Sequence, residues 1–407
     1  MAKKPLHDEI LFITHGVSDM NSLDLLTIIS QGETSKVQFK LRLDNKESIA
    51  DEMIAMSNSL GGMILFGVED KTGEIIGLDY DQLQMTSREL GNIANDSVKP
   101  QIYIYTEVIA VGEPQKNILI AYISEGVAKP YKDRNGTIWV KQGGDKRRLT
   151  DNNEQIRLFQ QSGLVYVDEM IVPETSISDV DEKKVSLYLE KIGQIDTDLP
   201  TEVLYKNLNI LKSDRLTLGG LLFFADNPQR FRPAFCIKAV SFYGNDIGGT
   251  DYRDSVDITG TIPEMFAESM SFLKRNLHHV QNGQNFNSTG ELEISEITLE
   301  ELLQNALTHR DYSKNAPVSV LIFDDRVEIS SPGSLPNSLT VENIKMGNAV
   351  VRNNLIVSFC SKLMQYRGLG SGIRRAIKNT PDLELIDNKE CETFTVILKR
   401  NKQFSCI

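Results

Sequence analysis

The stretch Thr298–Tyr312, TLEELLQNALTHRDY, sets polar groups at helical spacing. At 100° per residue Glu301, Asn305, Thr308 and His309 share one face, and Leu302, Leu303, Ala306 and Leu307 form the adjoining apolar stripe. Asparagine is a poor helix former, so one in a helix interior asks for a reason. A carboxylate one turn ahead of an amide can orient a water and hold Mg2+, which takes oxygen ligands and keeps several of its waters. Glu301 is therefore a candidate for orienting a water and Asn305 a candidate metal ligand. Thr298 with Glu301 also fits a capping box, which would make Glu301 structural, and Asn305 alone fits a solvated face.

A second candidate is RGLGSGIRRAI, with Gly368, Gly370 and Gly372 just ahead of a predicted helix. Glycines at this spacing let backbone N–H groups approach a phosphate, and the helix N-terminus adds the positive end of its dipole. No Gly-Lys-Ser/Thr follows, so this is not a Walker A loop. A turn without a ligand fits the same glycines.

Near the other end, KPYKDRNGTIWVKQGGDKRRL interleaves basic residues with Tyr131 and Trp139. Lys141, Lys146, Arg147 and Arg148 are its candidate phosphate contacts, on a strand-turn-strand patch that could also stack a base. A solvated hairpin, with Trp139 in the core, explains the pattern as well. Gln31–Gln160 holds 16 basic and 19 acidic residues, and the whole chain has a formal net charge of −12. A protein coated in basic surface is excluded, so nucleic-acid contact must be local and salt-sensitive.

These candidates need elements to hold them. The 407 residues suit two or three domains, with a hydrophobic fraction of 40% and a charged fraction of 25% as in ordinary globular proteins. The four cysteines form no CxxC pair, and no run approaches the roughly 18 apolar residues of a membrane helix, so a cytoplasmic location is expected. Seams near 172–181 and at Gln281–Glu291 divide the chain into 1–172, 173–285 and 286–407. In the first part LDLLTIIS reads as a helix and Lys36–Leu43 as a strand. Asn45–Leu60 reads as a helix capped by Asp44 and Glu47. GGMILFGVED and KTGEIIGLD each carry a strand, and further strands are expected at Ile102–Val111, Asn117–Ile123 and Thr137–Val140. The middle part, without evident chemistry, opens with a helix at Asp179–Ile192 capped by Ser178. LTLGGLLFFA and AFCIKAVSFYG read as two strands, and a helix starts at Pro263. The third part holds a helix at Leu299–Thr308, strands at Val318–Phe323 and Arg326–Ser330, a helix at Asn354–Leu363 and a last strand at Phe394–Lys399.

In this order the C-terminal pieces resemble the GHKL ATP-binding fold. The resemblance implies that Glu301 stands at the general base and Asn305 at the Mg2+ ligand. SSPGSLP, with Ser331 and Gly333, is similar to the first glycine box, and RGLGSG to the second. Thr393 or Thr395 would match the threonine of the last strand. The family's box carries an adenine-reading Asp where Ser331 stands here, with Asp324 or Asp325 nearby as substitutes. ATP and Mg2+ are the implied cofactors.

GETSKVQFK, the following helix, Gly61-Gly62 and FGVED-KTGEIIGL resemble the Schlafen AlbA-type domain over most of Leu23–Phe159. In nuclease members three acidic residues hold a divalent metal; the matching places are Glu33, Gln38 and Asp70 (or Glu69), with Lys40 closing VQFK. Gln38 replaces a carboxylate and argues against an efficient nuclease. The expected class is α+β and multidomain: an N-terminal Schlafen AlbA-type α/β domain, a mixed middle domain and a C-terminal GHKL-like α/β sandwich. The expected function is an ATP-binding, nucleic-acid-binding regulator, homo-oligomeric as the resemblance implies, with nucleotide occupancy controlling DNA or RNA contact. The alternatives are a metal-dependent endonuclease used in phage defence, or a scaffold with a degenerate nucleotide pocket.

Overall fold

The structure, a computed structural model, describes residues 20–194, 199–248, 251–280, 290–336, 339–364, 366 and 370–400. They form two compact units, 1–164 and 165–407 by residue range.

The first unit runs α1 (Ser22–Gln31), β1 (Val37–Lys40), α2 (Lys46–Asn58), β2 (Gly62–Phe66), α3 (Tyr80–Asp96), β3 (Ile104–Val111), β4 (Lys116–Ile123), β5 (Trp139–Gln142), β6 (Asp145–Arg148) and α4 (Asn152–Gln161). Its sheet has the order β1-β2-β4-β3, with β1 parallel to β2 and the other neighbours antiparallel. Strand β4 is apolar on both faces because both are covered. Ile118 and Ile120 join Leu25 and Ile28 of α1, while Leu119 and Ala121 join Ile54 of α2 and Leu90 of α3. Each large side chain so buried contributes roughly 1.5–3 kcal/mol. The β5–β6 hairpin packs on α2.

Helix α2 begins one residue later than expected. Asn45 caps it, accepting from the Ser48 amide at 3.0 Å, in place of the Asp44–Glu47 box. KTGEIIGLD makes no strand; Ile75 and Leu78 form single bridges to Val68 and Asn117. Helix α3, absent from the sequence expectation, is capped reciprocally by Asp79 and Gln82 and buries Leu83, Thr86, Leu90, Ile93 and Ala94.

The second unit contains α5 (Glu182–Lys191), α6 (Thr201–Asn207), β7 (Leu211–Lys212), β8 (Arg215–Leu216), α7 (Leu218–Phe224), β9 (Ile237–Phe242), β10 (Tyr252–Ile258), α8 (Ile262–Asn276), β11 (His279–Val280) and β12 (Glu291–Leu292). It continues with α9 (Glu296–Thr308), β13 (Val318–Ile322), β14 (Arg326–Pro332), α10 (Val341–Lys345), α11 (Asn354–Leu363), α12 (Gly372–Asn379), β15 (Glu384–Asn388) and β16 (Thr393–Lys399). One six-stranded sheet, β10-β9-β13-β14-β16-β15, runs through it, with α8 and α9 against the sheet.

That sheet crosses the expected seam. β9 lies parallel to β13, so strands from 173–285 and 286–407 share one sheet and one core. Residues 281–289 of the seam lie outside the described residues. The expected strand LTLGGLLFFA is corrected to a helix, α7, capped by Thr217, whose hydroxyl accepts from the Gly220 amide at 2.9 Å. Every residue of α7 is buried, so its run is apolar all round and carries no period that separates helix from strand. Asp181, not Ser178, caps α5.

Among the described residues no helix is long and apolar enough to cross a membrane, and Cys236, Cys360 and Cys391 are free thiols.

Candidate functional site

Helix α9 starts at Glu296, three residues ahead of expectation, and this decides between the readings of Glu301. Thr298 is inside the helix, buried, with its hydroxyl 3.0 Å from that of Thr380; it caps nothing. Glu301, Asn305 and His309 then follow on successive turns and line one cleft. Thr308, expected on the same face, turns into the core beside the Cys360 thiol at 3.5 Å.

The cleft is framed by α9, by Ile329 and Ser331 of β14, by Phe394 and Val396 of β16, and by the stretch Gly370–Gly372 that enters α12. It encloses about 1120 Å3, open space at its mouth included. At one end the Glu301 carboxylate meets Arg375 of α12 at 2.9 Å and lies against Gly372. Gly370, at φ +67°, sits against the Gly347 carbonyl, where a Cβ would come within 2.1 Å; only glycine fits there. Gly368 lies outside the described residues. Between these groups the Asn305 side-chain amide has no hydrogen-bond partner among the described residues, although it is mid-helix and half-buried.

Two turns beyond Glu301, roughly 12 Å along α9 at 1.5 Å per residue, the cleft changes character. His309 Nε2 lies 2.8 Å from the Tyr366 hydroxyl, and burial together with the Arg352 guanidinium pushes its imidazole down to about 4. Arg352 donates to the carbonyls of His309, at 3.3 Å, and Ser334. No described carboxylate is within ion-pairing distance of it. Ser331 faces the cleft and donates its hydroxyl to the Ala306 carbonyl at 2.8 Å, leaving lone pairs for a ligand.

Strand alternation corrects two expectations. Ser331 pairs with Phe394 and Ile329 with Val396, and these four face the cleft. Thr395 pairs with Ser330 on the opposite face, their hydroxyls 2.7 Å apart, and Thr393 does not line the cleft either. Asp324 and Asp325 flank the β13–β14 turn, where Asp324 binds Arg253 and the Gly244 amide; they cannot replace an acid at Ser331.

In the first unit the expected metal-binding residues do not form one cluster. Glu33 Oε1 accepts from the Gln38 amide and from the Phe39 N–H at 2.8 Å, whereas Asp70 pairs with Lys40. The basic hairpin is largely engaged within the protein. Lys141 donates to Gln38 Oε1 at 2.9 Å, Glu52 Oε2 at 3.2 Å and the Gly144 carbonyl at 2.7 Å. Lys146 reaches Glu52 Oε1 at 3.3 Å and the Ser48 carbonyl at 2.9 Å. Arg147 pairs with both oxygens of Glu154, at 2.8 and 2.9 Å, and Arg148 covers the Trp139 ring at 5.2 Å.

Sequence reasoning missed Glu52, Arg352, Tyr366 and Arg375. Only Glu52 carried a signal, a charge between buried positions of an amphipathic helix, and that signal does not name its partners.

Two family models match this chain. Residues 33–150 match SLFN_AlbA_2, "Schlafen, AlbA_2", and residues 315–398 match HATPase_c_4, "Putative ATP-dependent DNA helicase recG C-terminal". The chain thus joins a Schlafen AlbA_2 domain to an HATPase_c_4 domain, the order and class expected from its motifs. The expected metal and phosphate contacts of the first unit, from Glu33 to Arg148, lie inside the first match, while Glu301, Asn305 and His309 precede the second. No curated protein matches the chain. Among solved structures, the DIP2311 protein of Corynebacterium diphtheriae aligns at 19% identity with a TM-score of 0.44, over 93% of this chain and 68% of that one. The N-terminal domain of a RecG-related protein from Nitrosomonas europaea aligns at 22% identity with a TM-score of 0.24, over 33% of this chain and 96% of that one.

Proposed function

We propose that this two-module chain is a nucleic-acid-binding regulator whose second unit binds ATP with Mg2+, and that nucleotide occupancy controls how the first unit meets DNA or RNA. The ATPase-like and AlbA_2 domains support nucleotide and nucleic-acid binding in general terms. The observation that carries the ATP reading is the Asn305 amide. It lines the cleft without a protein partner among the described residues, one helical turn from Glu301, in the same cleft as the glycine-rich entry to α12.

An amide oxygen there would complete a Mg2+ ion otherwise held by phosphate and water, while backbone N–H groups at Gly370–Gly372 take phosphate oxygens. At the His309 end, Ser331 presents an acceptor and Arg352 presents donors, which together match the mixed edge of an adenine ring. Glu301 is paired with Arg375 and must leave that partner before it can activate water. A homo-oligomer and a role in transcription belong to the same reading.

Calorimetric titration of ATP with and without Mg2+ tests it. Wild type is expected to bind in a Mg2+-dependent manner, and Asn305→Ala to lose that dependence. Absence of binding by wild type would leave the cleft a scaffold feature.

A further inference from the structure

In the first unit an internal cation already stands where the acidic and amide oxygens converge. The Lys141 ammonium has three N–H groups and three acceptors: Gln38 Oε1, Glu52 Oε2 and the Gly144 carbonyl. Its side chain is 1% exposed and that of Glu52 is 7% exposed. Glu52 also receives Lys146 on its other oxygen, and Glu33 is joined to the group through Gln38. Two carboxylates, Glu33 and Glu52, are matched by two ammoniums.

Gln38 is fitted to this arrangement. It donates through Nε2 to Glu33 and accepts through Oε1 from Lys141. An ionised glutamate accepts only, so it could not bridge a carboxylate to an ammonium. The position that weakens a metal site is the one that completes a lysine site. A divalent ion would need the same oxygens at roughly 2.0–2.6 Å, against a buried like charge. Among the described residues no group of three His, Cys, Asp or Glu side chains is arranged to hold a metal.

We propose that Lys141 is a tethered counter-ion occupying the centre a divalent cation would otherwise take, and that the first unit is metal-free by construction. Its contact with nucleic acid, which rests on the reading above, then needs no divalent ion and leads to no metal-dependent cleavage. The counter-ion itself does not depend on that reading.

The test is a Mn2+ titration of the full, nucleotide-free chain, following free Mn2+ by electron paramagnetic resonance. Wild type is expected to show no Mn2+ site that Glu52→Gln removes. Lys141→Ala is expected to gain one, at least about tenfold tighter than any wild-type binding, and to lose it again when Glu52→Gln is added. A Glu52-dependent Mn2+ site in wild type overturns the inference. So does a folded Lys141→Ala protein that takes up Mn2+ no better than wild type. If the alanine variant fails to fold, Lys141→Met keeps the buried stem, and the wild-type and Glu52→Gln pair decides the matter in any case. Nucleotide binding in the second unit is measured separately, so its failure and this one are told apart.

Discussion

The Glu301 carboxylate occupies the space a side chain on Gly372 would need: a Cβ built there stands 1.5 Å from Glu301 Oε1 and 2.3 Å from its carboxyl carbon. The obstacle is a side chain, not backbone, so it can swing away at the cost of a partly exposed pairing with Arg375. At Gly370 the obstacle is the Gly347 carbonyl, which cannot move alone.

These two glycines therefore separate chemistry from architecture. Gly372→Ala is expected to change stability by no more than about 1 kcal/mol, since alanine also favours the helix it begins, yet to displace Glu301 and alter nucleotide turnover. Gly370→Ala carries a left-handed φ as well as a backbone clash and is expected to destabilise by about 2 kcal/mol or more. Thermal unfolding beside nucleotide titration reads both.

At Ser331 the sequence departs from an acidic residue, and the fold accounts for it. Its hydroxyl donates to the Ala306 carbonyl in a buried setting. Ser331→Asp would set a carboxylate against that carbonyl, so it is expected to cost roughly 1–3 kcal/mol and to weaken ATP binding. Ser331→Ala is expected to cost about 1 kcal/mol. Calorimetry on the two variants checks the order.

Asp168 caps α11 from outside it, accepting from the Ile356 N–H at 2.9 Å, while its other oxygen is buried without a partner. Burial pushes its carboxyl from 3.8 up to about 6. Between these values the folded protein binds more protons than the unfolded chain, so this group's contribution falls as pH rises. Above pH 6 it amounts to a penalty of about 3 kcal/mol, at 1.36 kcal/mol per unit. Asp168→Asn keeps an acceptor and is expected to be at least as stable as wild type at neutral pH. Asp168→Ala loses the cap, worth about 1 kcal/mol. Denaturant midpoints across the acid range are the measurement.

His309 acts in the opposite direction over nearly the same window. Its imidazole is held down to about 4 against an ordinary 6.5, so the unfolded chain binds the extra proton. This contribution to stability rises with pH from 4 to 6.5. With Asp168 it leaves a shallow net slope. His309→Gln is expected to unmask the falling slope of Asp168, and Asp168→Asn the rising slope of His309. The His309 ring signals in NMR should remain those of a neutral imidazole until pH approaches 4.

Much of the cleft was legible because it depends on local rules. Four-residue spacing on α9 was enough to group Glu301, Asn305 and His309, and glycines ahead of α12 marked its entry. Thr308 escaped because it sits at the edge of that face, and the Cys360 contact that drew it inward comes from a helix about fifty residues on. Thr395 escaped for a related reason: alternation is read easily, but which of two faces of β16 meets α9 depends on β14, its neighbour in the sheet. The hairpin lysines looked free because charge composition records cations without their partners.

What the sequence by itself determined were the two modules, their order, most of the helix and strand identities, and the side chains able to do chemistry. Those follow from period, caps and turn residues, all of which act within a few positions. Only the tertiary structure decided that α7 is a helix, that one sheet joins the middle and last segments, and that Lys141 is buried between Gln38 and Glu52. Each of these depends on contacts between residues far apart in the chain. Burial of a charge is stable only when partners surround it, and a linear sequence does not say which partners those are.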